Sequence, residues 1–230
     1  MNAALIGATG LIGQLLLQKL IDTGCYENIL LIGRKQPLYQ EADATQITFI
    51  QCQLNEFSAL ELPFNIDHAF CCLGTTIKQA GSQQAFIAVD KTACIDFIGA
   101  CQAQANFVVT ALGANSQSRS FYNRVKGETQ EELSKVLAQS QQASCPKRLW
   151  LFQPSLLLGH RNESRTLEDL GQKLSGVMSP LFVGRLFQYR PIAAEQVAAA
   201  MMAYAISAQD PEFSATQRVT LVSNAEMLSA

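Results

Sequence analysis

Three glycines at a spacing of three follow directly on the first apolar run of the chain. The run "AALIGA" (3–8) has the continuous hydrophobicity of a strand buried on both faces. The segment "GATGLIG" (7–13) then leads into an apolar helical pattern from Leu11 to Thr23. This order predicts a loop that binds the pyrophosphate of a dinucleotide through backbone N–H groups and the helix N-terminus. The cofactor-binding residues expected here are Gly7, Ala8, Thr9, Gly10, Leu11, Ile12 and Gly13.

The alternation of strand and helix continues along the chain. Further apolar runs predict strands over 28–33, 47–52, 67–74, 107–113, 148–154 and 218–223. Helical patterns cover about 83–105, the segment with Tyr122, a region from about 167, and an alanine-rich stretch over 192–208. Continuous hydrophobicity predicts an α/β, doubly wound (Rossmann), mostly parallel sheet with helices on both faces. No linker divides the chain, so we expect one domain over 1–230, with 155–230 contributing a small substrate lobe.

Composition narrows the class of protein. The chain has 230 residues, 48% of them apolar and 16% charged, which is enough apolar material for a large core. A net charge of −2 gives no basic field for nucleic acid, and no apolar stretch reaches the length of a membrane span. Seven cysteines without C-x-x-C spacing and two isolated histidines favour neither a disulfide framework nor a metal site. Without a recognisable signal peptide, this predicts a cytoplasmic protein in a reducing compartment.

The end of the second predicted strand bears on the choice of nucleotide. NAD sites usually place an acidic residue there to bind the ribose 2′-hydroxyl. Here Gly33 is followed by Arg34 and Lys35. A guanidinium suits a 2′-phosphate in charge and geometry, so both residues are expected to bind cofactor, and NADP (NADPH) is favoured. The alternative is a solvated basic turn.

The segment "FYNRVKGE" (121–128) places Tyr122 and Lys126 on one face of a predicted helix. Lys126 has no acidic residue three or four positions away, and it lies near the positive end of the helix, so local stability explains it poorly. An ammonium beside a phenol favours the phenolate. Tyr122 could therefore exchange a proton with a carbonyl or alcohol oxygen as hydride is transferred. A Tyr-x-x-x-Lys pair alone is weak, and the surrounding sequence has to support it.

Longer motifs give that support, and through them the chain resembles the short-chain dehydrogenase/reductases. The likeness is strongest to the atypical, short members of the Tat-interacting-protein type. It rests on "GATGLIG", "CLGTT" (72–76), "KQAGSQQAFIAVD" (78–90), "GANSQSRSFYNRVKGE" (113–128) and "LLLGHRNESR" (156–165). The resemblance implies an NADP-binding domain with Tyr122 as acid/base and Lys126 holding the nicotinamide ribose. It also implies an adenosine side at Leu73, Gly74 and Thr75 and a nicotinamide side at Pro154, Ser155 and Leu156.

Two departures from the family pattern bear on catalysis. Thr110, followed by Ala111, stands where the family usually has a serine that polarises the carbonyl. A threonine hydroxyl can donate the same hydrogen bond, and we expect Thr110 to be catalytic with Tyr122 and Lys126. Asp90 matches a position at which many members have asparagine. An ionised carboxylate accepts hydrogen bonds but donates none, so it cannot replace every asparagine contact.

The sequence thus favours an NADP(H)-dependent oxidoreductase for a small carbonyl or alcohol substrate. A regulatory or redox-sensing protein that binds NADP(H) with little turnover is the alternative. A nucleotide-sugar epimerase is less favoured, because little chain follows Lys126. The run Arg161–Arg165 either binds an anionic substrate group or forms a surface cluster. Both a monomer and a homodimer through the helices flanking the fifth strand stay open.

Overall fold

The computed structural model describes residues 1–40, 45–139, 147–158, 184–210 and 218–229. Its strands are β1 (Asn2–Ile6), β2 (Asn28–Gly33), β3 (Ile47–Gln51), β4 (His68–Cys71), β5 (Ala105–Val109), β6 (Arg148–Gln153), β7 (Leu157–Leu158), β8 (Ile192–Ala193) and β9 (Val219–Ser223). Seven of them form one sheet in the order β3-β2-β1-β4-β5-β6-β9, with every neighbouring pair parallel. Strands β7 and β8 pair separately.

The helices alternate with the strands as the sequence predicts. They are α1 (Leu11–Asp22), α2 (Ile77–Ala80), α3 (Gln83–Ile87), α4 (Ala93–Cys101), α5 (Phe121–Gln139), α6 (Ala194–Ser207) and α7 (Asn224–Ser229). A π-helical turn over Ala88–Thr92 joins α3 to α4, so that one helical run covers residues 83–101. A turn of this kind widens the helix locally and is frequent at functional sites.

Each strand of the sheet sends successive side chains to opposite faces. Both faces are buried in the central strands, whereas the edge strands β3 and β9 are partly exposed. Ala3, Leu5, Phe70, Phe107 and Trp150 pack on one face with α1 and α6. The intervening residues of the same strands pack on the other face with α4 and with Leu133 of α5. Double burial explains why the strands read as continuous apolar runs. The predicted doubly wound parallel fold is therefore confirmed.

An aromatic row stiffens the centre of the sheet. Phe70, Phe107 and Trp150 are register partners on β4, β5 and β6, and their neighbouring ring centroids lie 4.8 Å apart, with the rings stacked. At the edge of this row, the Tyr26 hydroxyl and His68 Nδ1 lie 2.8 Å apart and form a buried hydrogen bond. His68 is thus a core histidine with a partner, and burial lowers its pKa to about 4.

Several predicted boundaries were wrong by a few residues. β1 ends at Ile6, because Gly7 has a φ of 82° and starts the glycine turn. The long helical run ends at Cys101 rather than near 105, because Gln102 adopts a left-handed conformation with a φ of 50°. β5 accordingly begins at Ala105. The helical region predicted from about 167 lies outside the described residues.

The strand order reverses between β1 and β4. The chain leaves β1 toward β2 and β3, then returns to β4 on the opposite side of β1. The chain therefore leaves β1 and β4 in opposite directions at the carboxyl ends of these strands, the arrangement that forms a ligand crevice in open parallel sheets. Ligands of open parallel sheets bind at this point.

Candidate active site

The glycine turn after β1 is held in a shape that only glycine allows. The Gly10 N–H donates to the Gly7 carbonyl over 2.9 Å, and the Gln14 N–H donates to the Gly10 carbonyl over 3.0 Å. A Cβ on Gly13 would lie 2.1 Å from the Gly7 oxygen, so α1 starts directly against the turn. The first N–H groups of α1 consequently point into the crevice, where a phosphate could accept from them.

The loops after β1 and β4 touch across the switch point. A Cβ on Gly7 would come within 2.6 Å of both the carbonyl carbon and the oxygen of Cys72, and within 2.9 Å of the Leu73 nitrogen. Leu73 is half-buried, Gly74 is exposed, and the Thr75 N–H donates to Asp90 Oδ2 over 2.9 Å. The two predicted groups of cofactor-binding residues therefore line a single crevice.

Arg34 follows the end of β2, the strand next to β1. It and Lys35 are exposed, and the Arg34 carbonyl accepts a hydrogen bond from Gln51 Nε2 over 3.3 Å. The Gly33 carbonyl accepts from the Cys52 N–H, which extends the pairing of β2 and β3 by one residue. Both side chains are thus free to approach a group on the adenosine side of the crevice.

Lys126 is buried and paired with Asp90. Its Nζ lies 2.7 Å from Asp90 Oδ1, and the exposed fractions of the two side chains are 3% and 0%. Burial alone would lower the pKa of Lys126, but the Asp90 carboxylate outweighs it and raises the pKa well above its usual value. The lysine is therefore an ammonium at every working pH. Neighbouring positions on α5 do not reveal this partner, because Asp90 belongs to the helical run 83–101.

Two residues of the helical run 83–101, which are four positions apart, contact Tyr122 and Lys126, which are also four positions apart. Phe86 lies four residues before Asp90, and its ring centroid is 5.6 Å from that of Tyr122. Asp90 pairs with Lys126, four residues after Tyr122, and the Asp90 carbonyl accepts from Thr129 Oγ1 over 3.1 Å. Phe86 is fully buried. Among the described residues the Tyr122 hydroxyl has no hydrogen-bond partner, which leaves it free for a ligand.

The Thr110 hydroxyl is engaged within the protein. Thr110 is 4% exposed, and its Oγ1 donates to the Phe152 carbonyl over 3.1 Å. The same oxygen accepts from Gln130 Nε2 over 2.8 Å, and Gln153 Nε2 in turn donates to Gln130 Oε1 over 3.3 Å. Since a hydroxyl has one hydrogen, Thr110 has none left for a substrate carbonyl in this arrangement. Gln130 was not expected in the site, although it lies one turn beyond Lys126 on the same face of α5.

The loop between β5 and α5 folds back along a neighbouring face of α5. The Asn115 N–H donates to the Asn123 carbonyl, and Ser116 bonds to Glu131. A Cβ on Gly127 would lie 2.1 Å from the Ser116 nitrogen and 2.2 Å from the Asn115 carbonyl carbon. Residues 123, 127 and 131 therefore anchor this loop, while residues 122, 126 and 130 form the adjacent stripe.

Pro154, Ser155 and Leu156, which we expect on the nicotinamide side, follow the end of β6. Asn224, the first residue of α7, holds the Ser155 backbone in place. Pro154 is buried, Leu156 is 60% exposed, and the Ser155 hydroxyl donates to the Arg190 carbonyl over 2.5 Å. The fully buried Asn224 accepts from the Ser155 N–H over 2.9 Å. Its Nδ2 donates to the carbonyls of Gln188 and Arg190 over 3.0 Å and 2.8 Å. The run Arg161–Arg165 lies outside the described residues.

Two of the thiols beside the site, Cys71 and Cys94, are buried, and Cys72 is half-buried. Cys71 bonds to Cys94, and this hydrogen bond, together with burial, raises the pKa of Cys94 well above its usual value. Burial also raises the pKa of Cys72. Thiols of this kind remain protonated and react slowly.

Comparison with known proteins agrees with this architecture. No family model matches the chain. HTATIP2 of Rattus norvegicus is 29% identical over 179 residues, which span 75% of this chain and 69% of that protein. FMP52 of Eremothecium gossypii is 25% identical over 235 residues, which span all of this chain and 96% of that protein. An oxidoreductase of the short-chain dehydrogenase/reductase family from Burkholderia thailandensis superposes with a TM-score of 0.64 at 15% identity, covering 100% of this chain and 93% of the other.

The fold is thus that of the short-chain dehydrogenase/reductases. The homologues of the chain include HTATIP2 and FMP52, and this likeness, together with the fold, is consistent with an atypical short-chain dehydrogenase/reductase of the HTATIP2 type.

The expected cytoplasmic location was wrong. The FMP52 relatives from several fungi are named mitochondrial, which points away from a purely cytoplasmic location. Within the described part of the chain, no helix is long and apolar enough to cross a membrane.

Proposed function

We propose that the protein is an NADP(H)-dependent oxidoreductase for a small carbonyl or alcohol substrate. The observation that supports it best is the Tyr122 hydroxyl, which has no hydrogen-bond partner among the described residues and lies one helical turn from the buried ammonium of Lys126. The sheet that positions this helix also carries, after its first strand, a loop that suits a pyrophosphate. Glycine is required at positions 7 and 13 of this loop, because a Cβ at either position would overlap with backbone atoms. We also propose that residues 155–230 contribute the substrate lobe of this single domain.

In the proposed site the dinucleotide lies along the crevice. The N-terminus of α1 and the backbone of residues 7–13 hold the pyrophosphate, and Leu73, Gly74 and Thr75 border the adenosine and its ribose. Arg34 and Lys35 bind the 2′-phosphate, which favours NADP over NAD. Pro154, Ser155 and Leu156 border the nicotinamide. When bound, the cofactor supplies or accepts the hydride.

The chain's own side chains handle the proton. Tyr122 donates it from its hydroxyl to the carbonyl oxygen of a substrate, or accepts it in the reverse direction. Lys126 favours the phenolate form and holds the nicotinamide ribose. Thr110 completes the catalytic set only if its hydroxyl turns from the Phe152 carbonyl toward the substrate.

One observation favours a second candidate, an NADP(H)-binding regulatory or redox-sensing protein with little turnover. Thr110 donates to a backbone carbonyl and accepts from Gln130, so the usual carbonyl donor is engaged elsewhere. The Tyr122→Phe variant separates the two candidates. An oxidoreductase loses turnover with unchanged affinity for NADPH, whereas a binding protein has no turnover to lose.

The first experiment is a calorimetric titration with NADPH and, separately, with NADH. We expect tighter binding of NADPH, and the Arg34→Ala variant should lose that preference. Arg218, exposed at the start of β9 and thus at the opposite end of the sheet, provides the matched control Arg218→Ala. Absence of binding by either nucleotide would contradict the proposed function.

A further inference from the structure

We infer that Asp90 sets the preference of the site between oxidised and reduced cofactor, because its carboxylate cancels the charge of Lys126, the one buried cation beside Tyr122 among the described residues. This inference rests on the proposed function. It concerns a property of Asp90 that the proton-transfer chemistry does not require.

The charges that meet at this point can be counted from the described residues. Lys126 and Asp90 form the buried pair, with 2.7 Å between Nζ and Oδ1. The other titratable groups that face Lys126 are Tyr122 on α5 and Cys94 on α4, and Cys94 is hydrogen-bonded to Cys71 of β4. These three are a phenol and two thiols, which carry no charge when protonated. While Tyr122 is in its phenol form, the described part of the site therefore has a net charge of zero, and it would have a charge of +1 without the Asp90 carboxylate.

The carboxylate is held from two sides. Oδ1 lies 2.7 Å from Lys126 Nζ of α5, and Oδ2 accepts from the Thr75 N–H over 2.9 Å. Asp90 is thus held by the loop after β4, by α5 and by its own π-helical turn. A charge that is fixed in this way acts on a bound ligand without a free-energy cost for reorientation.

The two redox forms of the cofactor differ in charge at the reacting end. The oxidised nicotinamide ring is a cation, whereas the reduced ring is neutral. An uncompensated ammonium would repel only the oxidised form. A unit charge within roughly 10 Å, at an effective dielectric constant of about 20, changes an affinity about tenfold. The Asp90 carboxylate removes this penalty and keeps the two affinities similar.

The test is calorimetric titration with NADP⁺ and NADPH, and the readout is the ratio of their dissociation constants. We expect Asp90→Asn to raise the ratio of Kd for NADP⁺ to Kd for NADPH about tenfold over that of the unmodified protein. The double variant Asp90→Asn with Lys126→Met contains neither charge and should return the ratio to its original value, even if both affinities fall. Asp90→Ser, which leaves room for a water beside the ammonium, replaces Asp90→Asn if that variant does not fold.

Two controls isolate the charge effect. Glu128 pairs with Lys91 over 2.8 Å between the same helical run and α5, but both side chains are partly exposed. Glu128→Gln should therefore leave the ratio unchanged. Adenosine 2′,5′-bisphosphate lacks the nicotinamide, so its affinity measures separately whether a variant disturbs the adenosine side through the Thr75 N–H that Asp90 holds.

The outcomes distinguish the inference from the proposed function. If the unmodified protein binds neither dinucleotide, the proposed function fails. If it binds both, and the single variant keeps the original ratio, the inference is overturned. A raised ratio that persists in the double variant also overturns it, because the cause would then be a structural change and not the charge.

Discussion

The carbonyl oxygen of Gly7 occupies the space in which a side chain on Gly13 would begin, 2.1 Å from the position of a Cβ. The two glycines thus fix the distance between the end of β1 and the start of α1. Because a carbonyl of the backbone is the obstacle, no change of rotamer could relieve the clash.

The first prediction follows from this contact. Gly13→Ala should destabilise the protein by about 3 kcal/mol and abolish dinucleotide binding, because α1 has to move away from the turn. Chemical denaturation and calorimetry measure the two effects. Gly99, in α4, has no atom within 4 Å of its Cβ position. Gly99→Ala should therefore stabilise the protein slightly, by up to about 1 kcal/mol. Equal effects of the two substitutions would contradict the packing argument.

Gly127→Ala should also be costly, by about 3 kcal/mol, since the backbone of Asn115 and Ser116 crosses the helix at that point. Denaturation with urea provides the measurement. The matched control is Ser134→Ala on the same helix, which removes only a hydroxyl bonded to the Gln130 carbonyl and should cost less than about 1 kcal/mol. A tolerated Gly127→Ala would show that the loop can lift off α5.

The stability of the protein should depend on pH through His68. Burial lowers its pKa to about 4, against about 6.5 in an unfolded chain, so the unfolded state binds a proton more readily. The contribution is fully present above pH 6.5 and is lost as the pH falls toward 4, by about 3 kcal/mol in total. His68→Gln should remove this part of the pH dependence. Urea denaturation at about pH 7 and about pH 4.5 compares the two proteins, and parallel losses in both would refute the assignment.

The order of elements, the parallel sheet and the crevice followed from the sequence because they depend on local patterns. Apolar runs, glycine spacing and the i, i+4 relation of Tyr122 to Lys126 are all visible along one segment. The switch point then places Gly7 and Leu73 side by side without further information.

What the sequence did not predict depends on contacts between distant segments. Lys126 seemed unpaired because its partner, Asp90, lies 36 residues away on another helical run. The Thr110 hydroxyl seemed available because the Gln130 amide and the Phe152 carbonyl that engage it come from α5 and β6. The break at Gln102 was missed for a different reason, since a left-handed glutamine has no signature in composition.

Asn224 joins two distant parts of the chain. It fastens Ser155 to the segment of Gln188 and Arg190, so both ends of the stretch between them are clamped by a side chain near the carboxyl terminus. A single side chain thus holds two backbone segments that are more than thirty positions apart in the sequence. Loss of the Asn224 amide would release Ser155 and the Gln188–Arg190 segment together.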